Sequence, residues 1–283
     1  SVGDTVTTAR NPSSTLGGYQ NPAPVIWASV YPESQDDFTL LRQSLERLRL
    51  TDSSLSYEEE QSGVMGRGFR CGFLGMLHLE IITERLRREF ALELIVTLPT
   101  TVYEVTRQNG EVLTVYSPVR FPDDGSVVSV REPWARLSIF TPPNTLGSIV
   151  QLLHEHEAVG EATETLTDGR VKMTAQMPLR EMMRGFFDKL KNASSGFASL
   201  SYEIIGLQSA DVVRMDILIS EEIMPAFSRI VSRRRVQEEA EQMVERLEKL
   251  IPQQLFVLKI QAKSTGRIIA ARRKSARRKD VTA

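Results

Sequence analysis

One cysteine in 283 residues, Cys71, excludes an internal disulfide and fits a reducing compartment. A catalytic thiol would need a base partner, so a buried, inert thiol is the expectation. No stretch approaches the roughly eighteen apolar residues that span a bilayer. Ser1 to Arg10 are polar and lack the apolar core of a secretory signal. Histidines number three, and His154 and His156, two apart on an expected helix, diverge rather than converge on a metal. Charge of one sign is also lacking overall, since 35 basic residues meet 36 acidic ones. That balance hides an asymmetry: from Gln208 onward 16 basic residues face 10 acidic ones. A basic end on an acidic body points to a polyanion partner at that end.

The composition, 41% hydrophobic and 25% charged, is that of a globular chain, and the length calls for two to three domains. Four glycines, Gly66, Gly68, Gly72 and Gly75, fall within ten residues, directly ahead of an apolar helical pattern. The density predicts a shaped turn between strand and helix. The apolar spacing of Leu74, Leu77, Ile81, Ile82, Leu86 and Phe90 predicts one buried helix face. A phosphate-binding loop would need Gly-Lys-Ser/Thr, but Met76, Leu77 and His78 follow instead. Glu93 stands near the distance at which a dinucleotide fold places an acid, a weak discriminator in an acid-rich chain. The turn is therefore expected to be architecture.

Along the chain, alternating β-branched residues in 1–10 and a Gly/Pro/Ser/Asn-rich stretch in 11–24 look like the end of a β domain and a linker. Residues 24–106 then run strand, helix, strand, strand, helix, strand, with Glu58-Glu59-Glu60 in a solvated loop. Residues 107–132 read as a connector with a hairpin at Asn109-Gly110. Residues 133–207 repeat the βαββαβ order, with a hairpin at Asp168-Gly169 and a helix over 181–191. Residues 208–283 hold a strand from 211 to 219 and a helical stripe of Val236, Ala240, Met243, Val244, Leu247, Leu250 and Ile251. The fold class is thus α+β, with two ferredoxin-like βαββαβ domains and a further α+β segment.

The clearest binding feature is the tail. Arg267, Arg272, Arg273, Lys274, Arg277, Arg278 and Lys279 place seven positive charges in thirteen residues without an acid. Such density neutralises phosphates and releases counterions. The four-residue spacings of Arg273 with Arg277, and of Lys274 with Arg278, would cluster them on a helix. Arg229 with Arg233, Arg234 and Arg235 forms a second basic patch. A membrane surface is the other polyanion available, but the tail carries no interleaved leucines or aromatics for insertion. No constellation supports catalysis, and no cofactor or metal is expected in this chain.

Several strings resemble one family. Phe69-Arg-Cys-Gly-Phe-Leu-Gly75 and Leu77-His-Leu-Glu-Ile-Ile82 resemble the third domain of the LepA family of translational GTPases. Glu132-Pro133, Pro178-Leu-Arg-Glu181 and Ser195-Gly-Phe-Ala-Ser-Leu-Ser-Tyr202 resemble the fifth domain of elongation factor G and its LepA counterpart. Ile251-Pro-Gln-Gln-Leu-Phe256 and Gly266-Arg-Ile-Ile-Ala270 resemble the C-terminal domain special to LepA, here expected to be truncated. At Ser232-Arg233-Arg234 the chain departs from the family's His-Arg-Asp. The resemblance implies a C-terminal fragment without the GTPase domain, where GTP and magnesium would bind. It implies binding to the ribosome through ribosomal RNA and to transfer RNA, and a role in back-translocation, or in rescue and fidelity of stalled elongation. It also implies a cytoplasmic setting, with peripheral association at the inner membrane face or an organelle of bacterial origin as further expectations. Two other readings stand beside it: a forward translocation factor like elongation factor G, and a standalone RNA-binding scaffold.

Overall fold

The computed structural model describes residues 24–277 except Asp124. The strand expected in 1–10, the linker up to residue 23, and Arg278 and Lys279 lie outside the described residues. The chain divides after Thr97 into two compact units.

The first unit runs β1 (Ile26–Pro32), α1 (Phe38–Thr51), β2 (Ser56–Ser62), β3 (Gly66–Phe73), α2 (Met76–Phe90) and β4 (Leu94–Val96). Its antiparallel strand order is β2-β3-β1-β4, the split βαβ arrangement of a ferredoxin-like domain. Leu41, Leu45 and Leu48 of α1 meet Leu79, Ile82 and Leu86 of α2 over Ala28, Val30, Phe69, Cys71 and Phe73. Burial pushes the Cys71 thiol up to about 12, so it is inert at neutral pH.

Three expectations for this unit need correction. The glycines are not a strand-to-helix loop: Gly66, Gly68 and Gly72 lie within β3, and only Gly75 precedes α2. Gly68 is there because an added Cβ would stand 2.4 Å from the Tyr31 ring and 2.7 Å from the Val30 carbonyl oxygen. Secondly, Glu58-Glu59-Glu60 belongs to β2, where Glu59 pairs with Arg42 at 2.7 Å. Thirdly, α2 is rotated from its expected phase. Leu79, Ile82 and Leu86 are buried, while Leu74, Leu77 and Ile81 are exposed. Leu77 and Leu79 are about 200° apart around the helix, so both cannot face one core. His78 locks the turn, its Nδ1 accepting from Leu74 N–H at 3.0 Å and its Nε2 meeting Asp52 at 2.9 Å.

The second unit opens with β5 (Thr100–Thr101) and the hairpin β6 (Tyr103–Arg107) and β7 (Val112–Val115), turned at Asn109-Gly110 with Gly110 at φ 82°. There follow β8 (Val127–Thr141), α3 (Leu146–Glu155), β9 (Val159–Thr165), β10 (Val171–Pro178), α4 (Leu179–Met182), α5 (Phe186–Ala193) and β11 (Ser199–Ala210). The order β9-β10-β8-β11 repeats that of the first unit. The early part of β8 also pairs with β6, so the stretch expected as a connector extends this sheet. The single helix expected over 181–191 is two helices, because Gly185 turns left-handed at φ 74° between them.

The chain ends in β12 (Val212–Ile219), β13 (Glu222–Ile223), β14 (Arg229–Ser232), α6 (Val236–Leu250), β15 (Leu258–Ser264) and β16 (Arg267–Lys274). The antiparallel order is β13-β12-β15-β16, with β14 also on β12. Ala240, Val244 and Leu247 of α6 cover Met215, Ile217, Ile260 and Ala262. On the far side Val212 and Ile230 join Tyr103, Val105, Phe121 and Val130 in one apolar cluster. Arg214 adds a hydrogen bond to the Val119 carbonyl at 2.8 Å. The terminal sheet is thus packed onto the β6–β8 extension by shared core, and the α+β architecture with two ferredoxin-like domains stands.

Candidate nucleic-acid interface

β15 alternates Leu258, Ile260 and Ala262 toward α6 with Lys259, Gln261 and Lys263 away from it. Thr265 and Gly266 turn the hairpin, both at positive φ (48° and 77°), as a two-residue turn requires. β16 returns in register, with Arg273 opposite Lys259, Ala271 opposite Gln261 and Lys263 opposite Ile268. Cross-strand partners share a face. Lys259, Lys263 and Arg273 therefore form a basic face on the side of the hairpin turned away from α6.

The four-residue spacings would cluster cations only on a helix; up to Lys274 the tail is a strand. Pairing with β15 and Ala270 in the core outweigh the helical spacing of the cations. Alternation then divides the predicted residues. Arg272 and Lys274 turn toward α6, Arg272 standing 3.9 Å from the Glu248 carboxylate and Lys274 donating to the Glu248 carbonyl. Arg267 and Arg273 are exposed, with no ion-pair partner among the described residues. Arg277 is held alongside by its backbone N–H, which donates to Gln254 O at 2.8 Å. Lys259 and Lys263, outside the predicted set, belong to the same face. Lys259 is partly neutralised by Glu221 at 2.8 Å.

Arg233, Arg234 and Arg235 lie in the turn between β14 and α6. This turn precedes α6, whereas Glu248 lies in its last turn. Arg272 and Lys274 are therefore separated from this turn by most of a 15-residue helix, about 20 Å, whereas Arg267 is two residues from Ile269, whose carbonyl accepts from Gln237 at the start of α6. Arg233 is exposed and pairs with Asp211 at 2.8 Å. Arg234 is exposed and unpaired among the described residues. Arg235 points inward and ion-pairs with Glu181, a residue 1% exposed.

That inward arginine reaches a buried charge network that no local pattern in the sequence announces. Arg180 lies between Glu132 at 2.9 Å, Glu157 at 2.5 Å and Glu181. Glu181 also takes Arg184 at 2.9 Å, and its carbonyl meets His156 Nδ1 at 3.0 Å. Burial pushes the Glu132 carboxyl up to about 7. Burial opposes the Arg180 charge, but the carboxylates of Glu132 and Glu181 more than offset it and raise its pKa. Burial and the neighbouring Arg184 hold His156 down to about 4, so this imidazole is neutral. The signal available in the sequence was Glu132-Pro133 and Pro178-Leu-Arg-Glu181, two charged strings set in apolar surroundings. Their convergence is non-local. Among the described residues no cluster of His, Cys, Asp and Glu could hold a metal ion, and no helix is long and apolar enough to cross a membrane.

Comparison with known proteins gives three matches along the chain. Residues 21–98 match the family model of elongation factor G domain III, and residues 129–218 that of the elongation factor G C-terminus. Residues 219–283 match the C-terminus of the GTP-binding protein LepA. Across the whole chain, identity is 42% to elongation factor 4 of Acetivibrio thermocellus and 44% to that of Kineococcus radiotolerans. It is 46% to that of Clavibacter michiganensis. The chain spans 45–47% of the length of these relatives, a little under half.

Proposed function

Because this chain belongs to the LepA family, whose elongation factor 4 members it matches along its whole length, we propose that it is the ribosome-binding part of a translation elongation factor. The contact with RNA runs through the β15–β16 face, where Lys259, Lys263 and Arg273 present guanidinium and ammonium groups to phosphates. The observation that carries this reading is the combination of the LepA C-terminal match with a strand face in that same region on which Lys259 and Lys263 are partly exposed and Arg273 is exposed without an ion-pair partner among the described residues. Phosphate contacts of this kind position a protein without reading bases. Ribosomal RNA is the proposed partner, with transfer RNA within reach of the same face.

GTP hydrolysis, with its magnesium, is assigned to the part of the relatives that this chain does not span. In that scheme the two ferredoxin-like domains act as stiff levers, and the whole factor drives back-translocation or rescues stalled elongation in the cytoplasm. The test is co-sedimentation with ribosomes across a salt series, comparing the chain with a Lys259→Gln/Lys263→Gln/Arg273→Gln variant. The expected result is binding at low salt, with the log–log salt slope falling by roughly one for each phosphate that is no longer neutralised. Identical slopes for the two proteins would refute the strand face as the RNA contact. Failure of the chain to pellet at low salt would refute ribosome binding by this stretch.

A further inference from the structure

Four arginines converge where α4 meets β14 and the start of α6. Arg180, Arg184, Arg229 and Arg235 line a cavity of about 230 Å³, with Glu181 and Glu239 as the acids. The two acids are not equivalent. Glu181 is saturated, its oxygens engaged by Arg180, Arg184 and Arg235. Glu239 stands off, 3.7 Å from Arg229 and 3.8 Å from Arg235, beyond hydrogen-bonding range. The Nε groups of Arg229 and Arg235 are shielded from solvent and have no hydrogen-bond partner among the described residues. A buried donor left in this state is costly, so two beside one cavity call for a reason.

Four guanidinium groups line the cavity against two carboxylates. Burial lowers the pKa of Arg229, Glu239 offsets this only in part, and Arg246 on α6 lowers it further. Arg180 has all three nitrogens committed to carboxylates, and Arg235 spends its two Nη groups on the Glu155 carbonyl and on Glu181, which leaves the Arg229 guanidinium and the Arg235 Nε–H as the donors facing the space. A planar guanidinium offers Nε–H and Nη–H as a fork matched to two oxygens of a tetrahedral oxyanion. The volume is below the ~300 Å³ at which sites for drug-sized ligands begin. It suits one small anion, or one phosphate of a longer chain, rather than a whole nucleotide.

We propose that this cavity binds a phosphoryl group between Arg229 and Arg235, with Glu239 as the counter-ion that the ligand displaces. The site is separate from the β15–β16 face and does not depend on the role given to that face. Two sources share the chemistry: a free phosphate or pyrophosphate, and the phosphodiester of an RNA strand.

The test is calorimetric titration of the full chain with inorganic phosphate, pyrophosphate and a short single-stranded RNA. Wild type is compared with Arg229→Met and Glu239→Gln. Removing the competing carboxylate without changing its shape should tighten binding about five- to tenfold, and Arg229→Met should weaken it at least about tenfold. The pattern appearing with inorganic phosphate or pyrophosphate assigns a free anion. Its appearance with RNA alone assigns a phosphodiester. No saturation by any of the three up to about 10 mM, or affinities unchanged in Glu239→Gln, overturns the proposal. Should Arg229→Met fail to fold, the direction of the Glu239→Gln effect decides.

Discussion

Arg180 Nε lies 2.9 Å from the Glu132 carboxylate, and the two side chains are 8% and 1% exposed. A pair so enclosed is costly to assemble and costlier to break, because removing one partner strands the other. Arg180 also holds Glu157 and Glu181, so its loss would leave three carboxylates facing one another.

Arg180→Met should therefore destabilise the chain by about 3–5 kcal/mol, read as a fall in the urea midpoint. Glu132→Gln retains an acceptor for Arg180 and should cost about 1–3 kcal/mol. If both variants unfold within experimental error of wild type, the network is not a stabilising element.

The same cluster makes stability depend on pH in two opposed ways. Burial raises Glu132 from 4.5 to about 7, so the folded chain holds that proton more tightly than the unfolded one. Its contribution is full below pH 4.5 and is lost as pH rises through about 7. His156 is lowered from 6.5 to about 4, and its contribution is present above pH 6.5 and lost as pH falls toward 4. Between pH 4.5 and 6.5 the slopes oppose each other. Glu132→Gln removes one of them, so its stability should climb with pH more steeply than wild type across that window. Urea unfolding at half-unit pH steps measures this, and parallel curves for the two proteins would count against the burial of a titrating Glu132.

In the first unit, Gly68→Ala places a Cβ 2.4 Å from the Tyr31 ring and 2.7 Å from the Val30 carbonyl. Overpacking of this kind should cost about 1–3 kcal/mol. Gly160→Ala, with nothing within 4 Å of the added carbon, is the control, expected within about 0.5 kcal/mol of wild type. Equal melting shifts for the two would mean that the β3 glycines are not there for close packing.

The hairpin turns and the buried face of α6 were legible because their signals are local. Asn109-Gly110 and Asp168-Gly169 turn hairpins, and the stripe from Ala240 through Val244 to Leu247 marks one face of α6. What escaped depends on distant partners. The phase of α2 rests on Leu79 rather than Leu77, and the two differ only in what lies across the core. Gly68 of β3 answers to Tyr31 and Val30, more than thirty residues away. Arg235 sits in a run of three arginines that look alike in sequence, yet only it reaches Glu181. At the tail, pairing with β15 decides for strand, and no local count of charges contains that partner.

The strand assignment makes neighbouring arginines unequal. Arg273 stands opposite Lys259 on the face turned away from α6, while Arg272 turns toward α6 and Glu248. Arg273→Gln should therefore lower the salt slope of ribosome binding by roughly one, and Arg272→Gln by clearly less. Stability should move the other way. Like charges directly opposite on paired strands repel, so Arg273→Gln should leave the hairpin unchanged or firmer by about 0.2–1 kcal/mol in the absence of RNA. Weaker binding together with undiminished stability is the signature of a residue that touches RNA. A residue needed only for folding would lose both. Equal drops in affinity for Arg272→Gln and Arg273→Gln would return the tail to a helix or a featureless charged segment.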